Sequence, residues 1–366
     1  MKALIITNSL GERSGWERYS LDMVNGLIQN GFDVLVICHK KNDSYKNIKQ
    51  IELLPDPLRL RKNQFTALWD AIRFFLKNDF GKPNLIHCFV EPYLFFTFIL
   101  SLFFKVPYFL TIHGSYGVKG FDCIIYKTIQ IFSYIKAKKI ICISNYTKNR
   151  ILEYGNFENI VIIPNGVSDK ISSFTTSVEK ENSIIGIGVL KNRKGFHITL
   201  NALALVRENI PDIKYYIVGI QRDKKYFELL EKIVKEKRLE ENVFFYGNAD
   251  DSKKFELLNK SKIFVLNPVS NEFNFEGFGL VYLEANALGL PVIGSYGNGG
   301  EDAIKDGYNG FLVHNENPEE SAEKIKILLE DDALYVKMSD NAREWVKDFS
   351  WDKISQKYIS VYEIQE

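Results

Sequence analysis

Glu276-Gly277-Phe278-Gly279-Leu280-Val281-Tyr282-Leu283-Glu284-Ala285 is the densest stretch of the 366-residue chain. Two glycines lead into an apolar run of helical character, and two glutamates stand eight positions apart. Glycine lets a backbone come close to a ligand, and the first turn of a helix has N–H groups without intrahelical partners. The segment reads as a phosphate cradle with the Glu276 carboxylate at its mouth. Glu284 lies one turn inside the helix and is expected to reach toward the same cleft. Carboxylates are poor phosphate ligands but accept hydrogen bonds from sugar hydroxyls. A sugar joined to a phosphate satisfies both halves of the pattern. Two glutamates alone would be explained as well by a helix cap and a surface charge.

Short apolar runs alternate with helical ones on both sides of this segment. The second half has strand-like runs at Ile184–Gly188, Tyr215–Val218, Val243–Tyr246, Ile263–Leu266, Pro291–Gly294 and Gly310–Val313. Helical patterns follow at Pro318–Leu329, Ala333–Lys347 and Trp351–Tyr362. The first half has strand-like runs at Lys2–Thr7, Asp33–Cys38, Leu85–Phe89, Tyr108–Ile112, Lys139–Ile143 and Ile160–Ile163. Its first helix, Trp16–Asn30, is closed by Gly31. Strand–helix alternation specifies a parallel sheet covered on both faces. The pattern pauses over residues 168–182, which are rich in Ser, Thr, Lys and Glu and read as a linker. The expected fold is α/β: two doubly wound, Rossmann-like parallel-sheet domains facing a central cleft. They span 1–168 and 181–346, and a C-terminal helix over 347–366 packs back toward the first. Ligands of such sheets bind beyond the carboxyl ends of the strands.

The composition, 46% hydrophobic and 25% charged, is that of a globular chain of two domains. The formal net charge of +1 conceals an asymmetry: residues 1–170 hold 22 Lys+Arg against 14 Asp+Glu. A basic first half suits an anionic partner such as a membrane surface, or is a solvated surface attracted to the acidic half. Nucleic acid is not expected, because the basic residues are dispersed and no binding module is present. Cys38, Cys88, Cys123 and Cys142 are widely spaced, without zinc-ligand spacing, and read as reduced buried thiols of a cytoplasmic protein. The N-terminus meets a polar residue too early for a signal peptide. The most apolar stretch, Tyr93–Phe104, is too short to span a bilayer and reads as a buried helix, with a segment touching the membrane surface as the alternative.

Glu276 to Glu284 is an E-x7-E motif that resembles the retaining family-4 glycosyltransferases of the GT-B fold. The continuation Glu284-Ala285-Asn286-Ala287-Leu288-Gly289-Leu290-Pro291-Val292-Ile293-Gly294 is similar to that family's, as are Gly297–Ile304 and Asp306–Gly310. Lys194-Gly195 stands where the family places a donor-phosphate lysine. His113, in Thr111-Ile112-His113-Gly114, matches its first-domain histidine, and Pro164-Asn165-Gly166-Val167 its domain-closing motif. Gly15 lies in the first strand–helix loop, where the family usually has paired glycines near the donor phosphates.

The resemblance implies transfer of a sugar from a UDP- or GDP-sugar to a glycan or lipid-linked acceptor. Polysaccharide biosynthesis is the setting it suggests, and the basic first half with the Lys136-Lys138-Lys139 cluster beside an apolar helix points to the inner face of the plasma membrane. Glu276 would hold donor-sugar hydroxyls and Glu284 the ribose. Arg193 and Lys194 would neutralise the departing diphosphate. Backbone N–H groups of the Gly277, Phe278, Gly279 and Leu280 loop would support the sugar-phosphate, with His113 on the donor-sugar side. No cofactor is implied, and no metal, because no D-x-D motif occurs. Three positions depart from the pattern: Val189 stands for a common arginine, Ser14 for the first glycine, and Gly219-Ile220-Gln221 lacks an acidic residue. The missing arginine favours a rival, a non-catalytic nucleotide-sugar-binding protein on the same fold. A nicotinamide oxidoreductase would need G-x-G-x-x-G after the first strand, and the chain has only Gly11 and Gly15 there.

Overall fold

The computed structural model describes residues 1–57, 64–78, 80–119, 124–174 and 179–363. They form two compact units, Met1–Gly166 with Trp351–Glu366, and Val167–Ser350. Cys123 lies outside the described residues, while Cys38, Cys88 and Cys142 are free and buried.

The first unit runs β1 (Lys2–Ile6), α1 (Gly15–Gln29), β2 (Asp33–Cys38), β3 (Lys49–Glu52), α2 (Gln64–Lys77) and β4 (Leu85–Cys88). It continues with α3 (Leu94–Phe104), β5 (Tyr108–Ile112), α4 (Ile124–Lys136), β6 (Lys139–Cys142), α5 (Asn145–Leu152) and β7 (Ile160–Ile162). Its seven strands pair in the order β3-β2-β1-β4-β5-β6-β7, all parallel. The central strands are Val- and Ile-rich and buried along their length, as a sheet covered on both faces requires. Each side chain so buried contributes about 1.5–3 kcal/mol. The edge strand β3, Lys-Gln-Ile-Glu, is half-exposed and was not foreseen, because four residues of polar character carry no apolar run.

The second unit runs β8 (Ser183–Ile187), α6 (Phe196–Arg207), β9 (Lys214–Val218), α7 (Lys224–Glu236), β10 (Val243–Phe245), α8 (Asp251–Lys260) and β11 (Ile263–Val265). Then come α9 (Leu280–Ala287), β12 (Val292–Ser295), β13 (Gly310–Val313), α10 (Pro318–Glu330) and α11 (Asp332–Val346). Six parallel strands pair in the order β10-β9-β8-β11-β12-β13. The expected linker begins inside this unit. Val167 N–H donates to Phe349 O at 2.7 Å, and a 3-10 turn at Asp169–Phe174 stacks Phe174 on Phe255 of α8, 4.3 Å between centroids.

The final helix, α12 (Trp351–Glu363), belongs to the first unit and packs on α1. Gly166 admits it closely: a Cβ there would lie 2.6 Å from the Trp351 ring. Tyr362 OH shares a 2.5 Å hydrogen bond with His87 Nδ1, and His87 Nε2 another of 2.9 Å with Thr111 Oγ1. Tyr19 OH meets the same Thr111 oxygen at 2.9 Å. The buried polar groups of β4, β5, α1 and α12 thus satisfy one another. Among the described residues no helix is long and apolar enough to cross a membrane.

Candidate active site

The strand order of the second sheet reverses between the neighbours β8 and β11. The loops leaving these strands lie at the carboxyl edge of the sheet, at its switch point. The loop after β8 passes Gly188 and Val189 and closes in a 3-10 turn, Asn192–Lys194, before Gly195 starts α6. Gly195 has φ +68°, and a Cβ there would fall 1.7 Å from the Asn267 carbonyl oxygen, so only glycine closes this turn. The turn presents Arg193 and Lys194 side by side.

The loop after β11 brings Glu276 to them. Lys194 Nζ donates to Glu276 Oε2 at 2.6 Å, and Arg193 Nη1 to the same oxygen at 3.0 Å. Among the described residues nothing bonds the other oxygen, Oε1. Burial alone would raise the Glu276 carboxyl, but Lys194 and Arg193 outweigh it and hold the pKa at about 2. Burial lowers that of Lys194, with Glu276 opposing. The result is a permanently ionised acceptor held between two basic side chains.

The backbone of Glu276 is fixed from behind, by residues whose role was not foreseen. Gly299 N–H donates to Glu276 O at 2.8 Å, and a Cβ on Gly299 would fall 2.0 Å from Gly277 O. A capping box holds that 3-10 turn: the Asn298 side chain accepts from Gly300 N–H at 2.8 Å, and Glu301 accepts from Asn298 N–H at 3.3 Å. Gly279, at φ +73°, is the N-cap of α9, and Leu280 is its first residue. The Phe278 side chain is buried, its ring 6.1 Å from that of Phe349, so Phe278 can offer a ligand only its backbone. Tyr282 OH donates to Leu266 O at 2.7 Å and ties α9 to the end of β11.

Glu284 has a different partner. It is buried on α9, where Lys254 Nζ of α8 lies 3.4 Å from its Oε2. Lys254 also pairs with Asp251 at 3.2 Å and lies 4.3 Å from the Phe255 ring centroid. The two glutamates therefore stand against separate sets of cations. Lys254 escaped the sequence reading because its helix, mean pattern apart, looks like a solvated charged surface.

His113 and Gly15 belong to the first unit. His113 follows β5, and its Nε2 lies 2.9 Å from Phe89 O. A carbonyl only accepts, so Nε2 carries the proton and Nδ1 keeps its lone pair. The ring packs edge-on against Tyr19, 4.4 Å between centroids, and burial lowers its pKa to about 4. His113 is therefore neutral at physiological pH. Its backbone N–H donates to Oε1 of Glu91 at 2.6 Å. Glu91 is a buried residue not singled out in the sequence; burial raises its carboxyl to about 7. Gly15 opens α1, and a Cβ there would meet nothing within 4 Å. Ser14 caps this helix, its Oγ accepting from Glu17 N–H at 3.3 Å, which a glycine in that position could not do.

Comparison with known proteins agrees with this architecture. The family model described as Glycosyltransferase Family 4 matches residues 13–170, and that described as Glycosyl transferases group 1 matches residues 167–345. A glycosyltransferase of Methanocaldococcus jannaschii is 29% identical over 71% of this chain and 69% of its own length. One from Haemophilus influenzae is 24% identical over 96% of this chain and 97% of its own. Among solved structures, HepE of Anabaena in complex with UDP-glucose superposes with a TM-score of 0.80, at 19% identity, over 98% of both chains. Two adjoining family matches that together run from residue 13 to 345, and a fold shared end to end with a GT-B protein, place this chain among the family-4, group-1 glycosyltransferases of the GT-B fold.

Proposed function

We propose that the chain transfers a hexose-type sugar, with retention at the anomeric carbon and without a metal, from a UDP- or GDP-sugar to a glycan or lipid-linked acceptor. The observation that carries this reading is the Lys194–Glu276–Arg193 triad at the switch point of the second sheet. Glu276 Oε1 is a fixed, ionised acceptor for a donor-sugar hydroxyl. Lys194 and Arg193 are the charges that a diphosphate seeks, and on donor binding the phosphate oxygens share them with Glu276. As the bond between C1 and the diphosphate oxygen breaks, these cations stabilise the charge that gathers there. The acceptor oxygen bonds to C1 on the same face and passes its proton to the departing phosphate. No protein nucleophile is needed. The first-turn N–H groups of α9 support the sugar-phosphate, and Glu284, held by Lys254, receives the ribose. The HepE complex makes a uridine donor the first to try.

The test is calorimetric titration with UDP, GDP and their glucose, N-acetylglucosamine, galactose and mannose conjugates, with and without magnesium. One nucleotide should bind tightly and independently of magnesium, and NMR of the transfer product should show the donor's anomeric configuration. Absence of binding to every member would overturn the reading, and binding without transfer would favour the non-catalytic rival, to which Val189 in place of arginine already points. Inversion in the product would overturn the retaining mechanism alone.

A further inference from the structure

The first sheet has a switch point of its own, between β1 and β4, where its strand order reverses. Ligands of doubly wound sheets bind beyond the carboxyl ends of the strands at such a point. Two aromatic rings meet there. Trp16 stands in the first turn of α1, after β1, and Tyr116 in a 3-10 turn, Ser115–Gly117, after β5. β4 lies between β1 and β5, so the two loops reach toward each other across its end. The ring centroids are 5.0 Å apart, with the planes at 57°.

Both turns are stiff. Arg18 Nε donates to Glu12 O at 2.7 Å, and Arg13 N–H to Glu17 Oε2 at 3.2 Å, which ties the loop around Trp16. On the other side Tyr134 OH donates to Gly117 O at 2.7 Å, and Ile112 leaves no room for a Cβ on Gly117. The pair is therefore preorganised, which spares a ligand the cost of ordering it.

Neither ring belongs to the core; both are half-buried. The indole N–H of Trp16 has no acceptor among the described residues. Lys119 Nζ lies 4.5 Å from the Tyr116 ring centroid and occupies one face of that ring. Tyr116 and Lys119 thus brace the indole from one side. Tyr19, one turn further along α1, packs on His113, 4.4 Å between centroids. A flat apolar face with a hydrogen-bond donor at its rim matches a pyranose, whose C–H face is apolar and whose hydroxyls lie around the edge. A lipid chain would need aliphatic walls, whereas Arg13, Ser14 and Lys119 border these rings in the two loops. The diphosphate, ribose and sugar hydroxyls of the donor all have partners in the second unit. The acceptor is the reactant left without a site.

We propose that Trp16, backed by Tyr116, stacks on a pyranose ring of the acceptor, so that the acceptor is a glycan and not an open-chain polyol phosphate or a bare lipid. The assignment to the acceptor rests on the transferase reading above; the stacking does not.

The experiment is NMR of the full chain labelled with nitrogen-15 at tryptophan. The chain has four indole signals, and Trp16→Phe identifies the one from Trp16. It is titrated, without donor, with the methyl glycosides of glucose, galactose, mannose and N-acetylglucosamine, with glycerol 3-phosphate and with UDP. At least one glycoside should move the Trp16 signal and leave those of Trp69, Trp345 and Trp351 in place. Trp16→Ala should weaken binding of that glycoside about ten-fold in saturation-transfer titrations, and Trp16→Phe should weaken it less. Thermal unfolding of both variants reports that the fold is kept. A Trp16 signal that ignores every glycoside, or that answers only to glycerol 3-phosphate or UDP, would overturn the proposal. So would a Trp16→Ala variant that binds the glycoside like wild type. The transferase reading fails separately: it falls if no UDP- or GDP-sugar binds, whatever the Trp16 signal does.

Discussion

Glu276 is held by two cations on one oxygen, so its removal has two separable effects. In Glu276→Gln, Lys194 and Arg193 face a neutral amide in a mostly buried setting, and stability at neutral pH should fall by about 2–3 kcal/mol. The folded-state pKa lies near 2, below the ordinary 4.5, so the stabilisation is present above pH 4.5 and fades as pH falls toward 2. Urea midpoints of wild type and variant should converge over that window; parallel curves would mean the triad is not what stabilises the loop. Transfer should be lost in Glu276→Ala, with at least the 1.5–3 kcal/mol of a charged hydrogen bond missing from kcat/KM. His113 has the opposite ionic character. Its pKa of about 4, below the ordinary 6.5, means that the folded state resists protonation, so stability contributed above pH 6.5 is lost as pH falls toward 4. NMR of the ring at pH 6 should show the neutral Nε2–H tautomer, and a protonated ring there would refute the burial argument. At this scale the sequence revealed Glu276, Arg193 and Lys194 but not that they bind one another. Ion pairs between residues 82 and 83 positions apart leave no local pattern. Lys254 and Glu91 were missed for the same reason, their partners lying 30 and 22 positions away.

Elements were more legible than contacts. Val- and Ile-rich strands are bounded by glycine, asparagine and proline, and their ends fell within two residues of those read from the sequence. β3 failed because an edge strand half in water need not be apolar. α3 was read as buried, yet Leu94, Phe96 and Leu100 face inward while Leu102 and Phe103 face out; its uniformly apolar sequence hides which side is covered. Glycines of the site loops divide into two kinds that the sequence cannot tell apart. Gly195→Ala would force a Cβ against the Asn267 carbonyl at positive φ, and should cost about 2–4 kcal/mol in chemical unfolding. Gly15→Ala places its methyl in open space at the start of α1, and should leave stability unchanged or higher by up to about 1 kcal/mol. A loss of donor affinity in this second variant, measured by calorimetry, would then report a direct contact with the ligand. Unchanged affinity would remove Gly15 from the site.

For the whole molecule the two parallel sheets were readable from strand–helix alternation, and a C-terminal helix packing back toward the first domain was expected; the buried polar contacts that attach α12 are encoded in no periodicity. His87, Thr111 and Tyr19 receive Tyr362 and Tyr358 of α12 in the middle of the first unit. Tyr362→Phe would leave His87 Nδ1 without its partner and should destabilise that unit by about 1–3 kcal/mol. Hydrogen exchange should quicken in β4 and β5 and stay unchanged in β8 through β12; uniform quickening would show the two units to unfold as one. The same attachment has a consequence for synthesis. The ribosome makes residues 1–166 first, then the 184 residues of the second unit, and only then the helix that completes the first. At about 5–20 residues per second the early unit waits roughly 10–40 s with its aromatic and histidine side chains uncovered. Its nascent form should therefore bind chaperones, while the later-made unit, contiguous in sequence, can close without waiting.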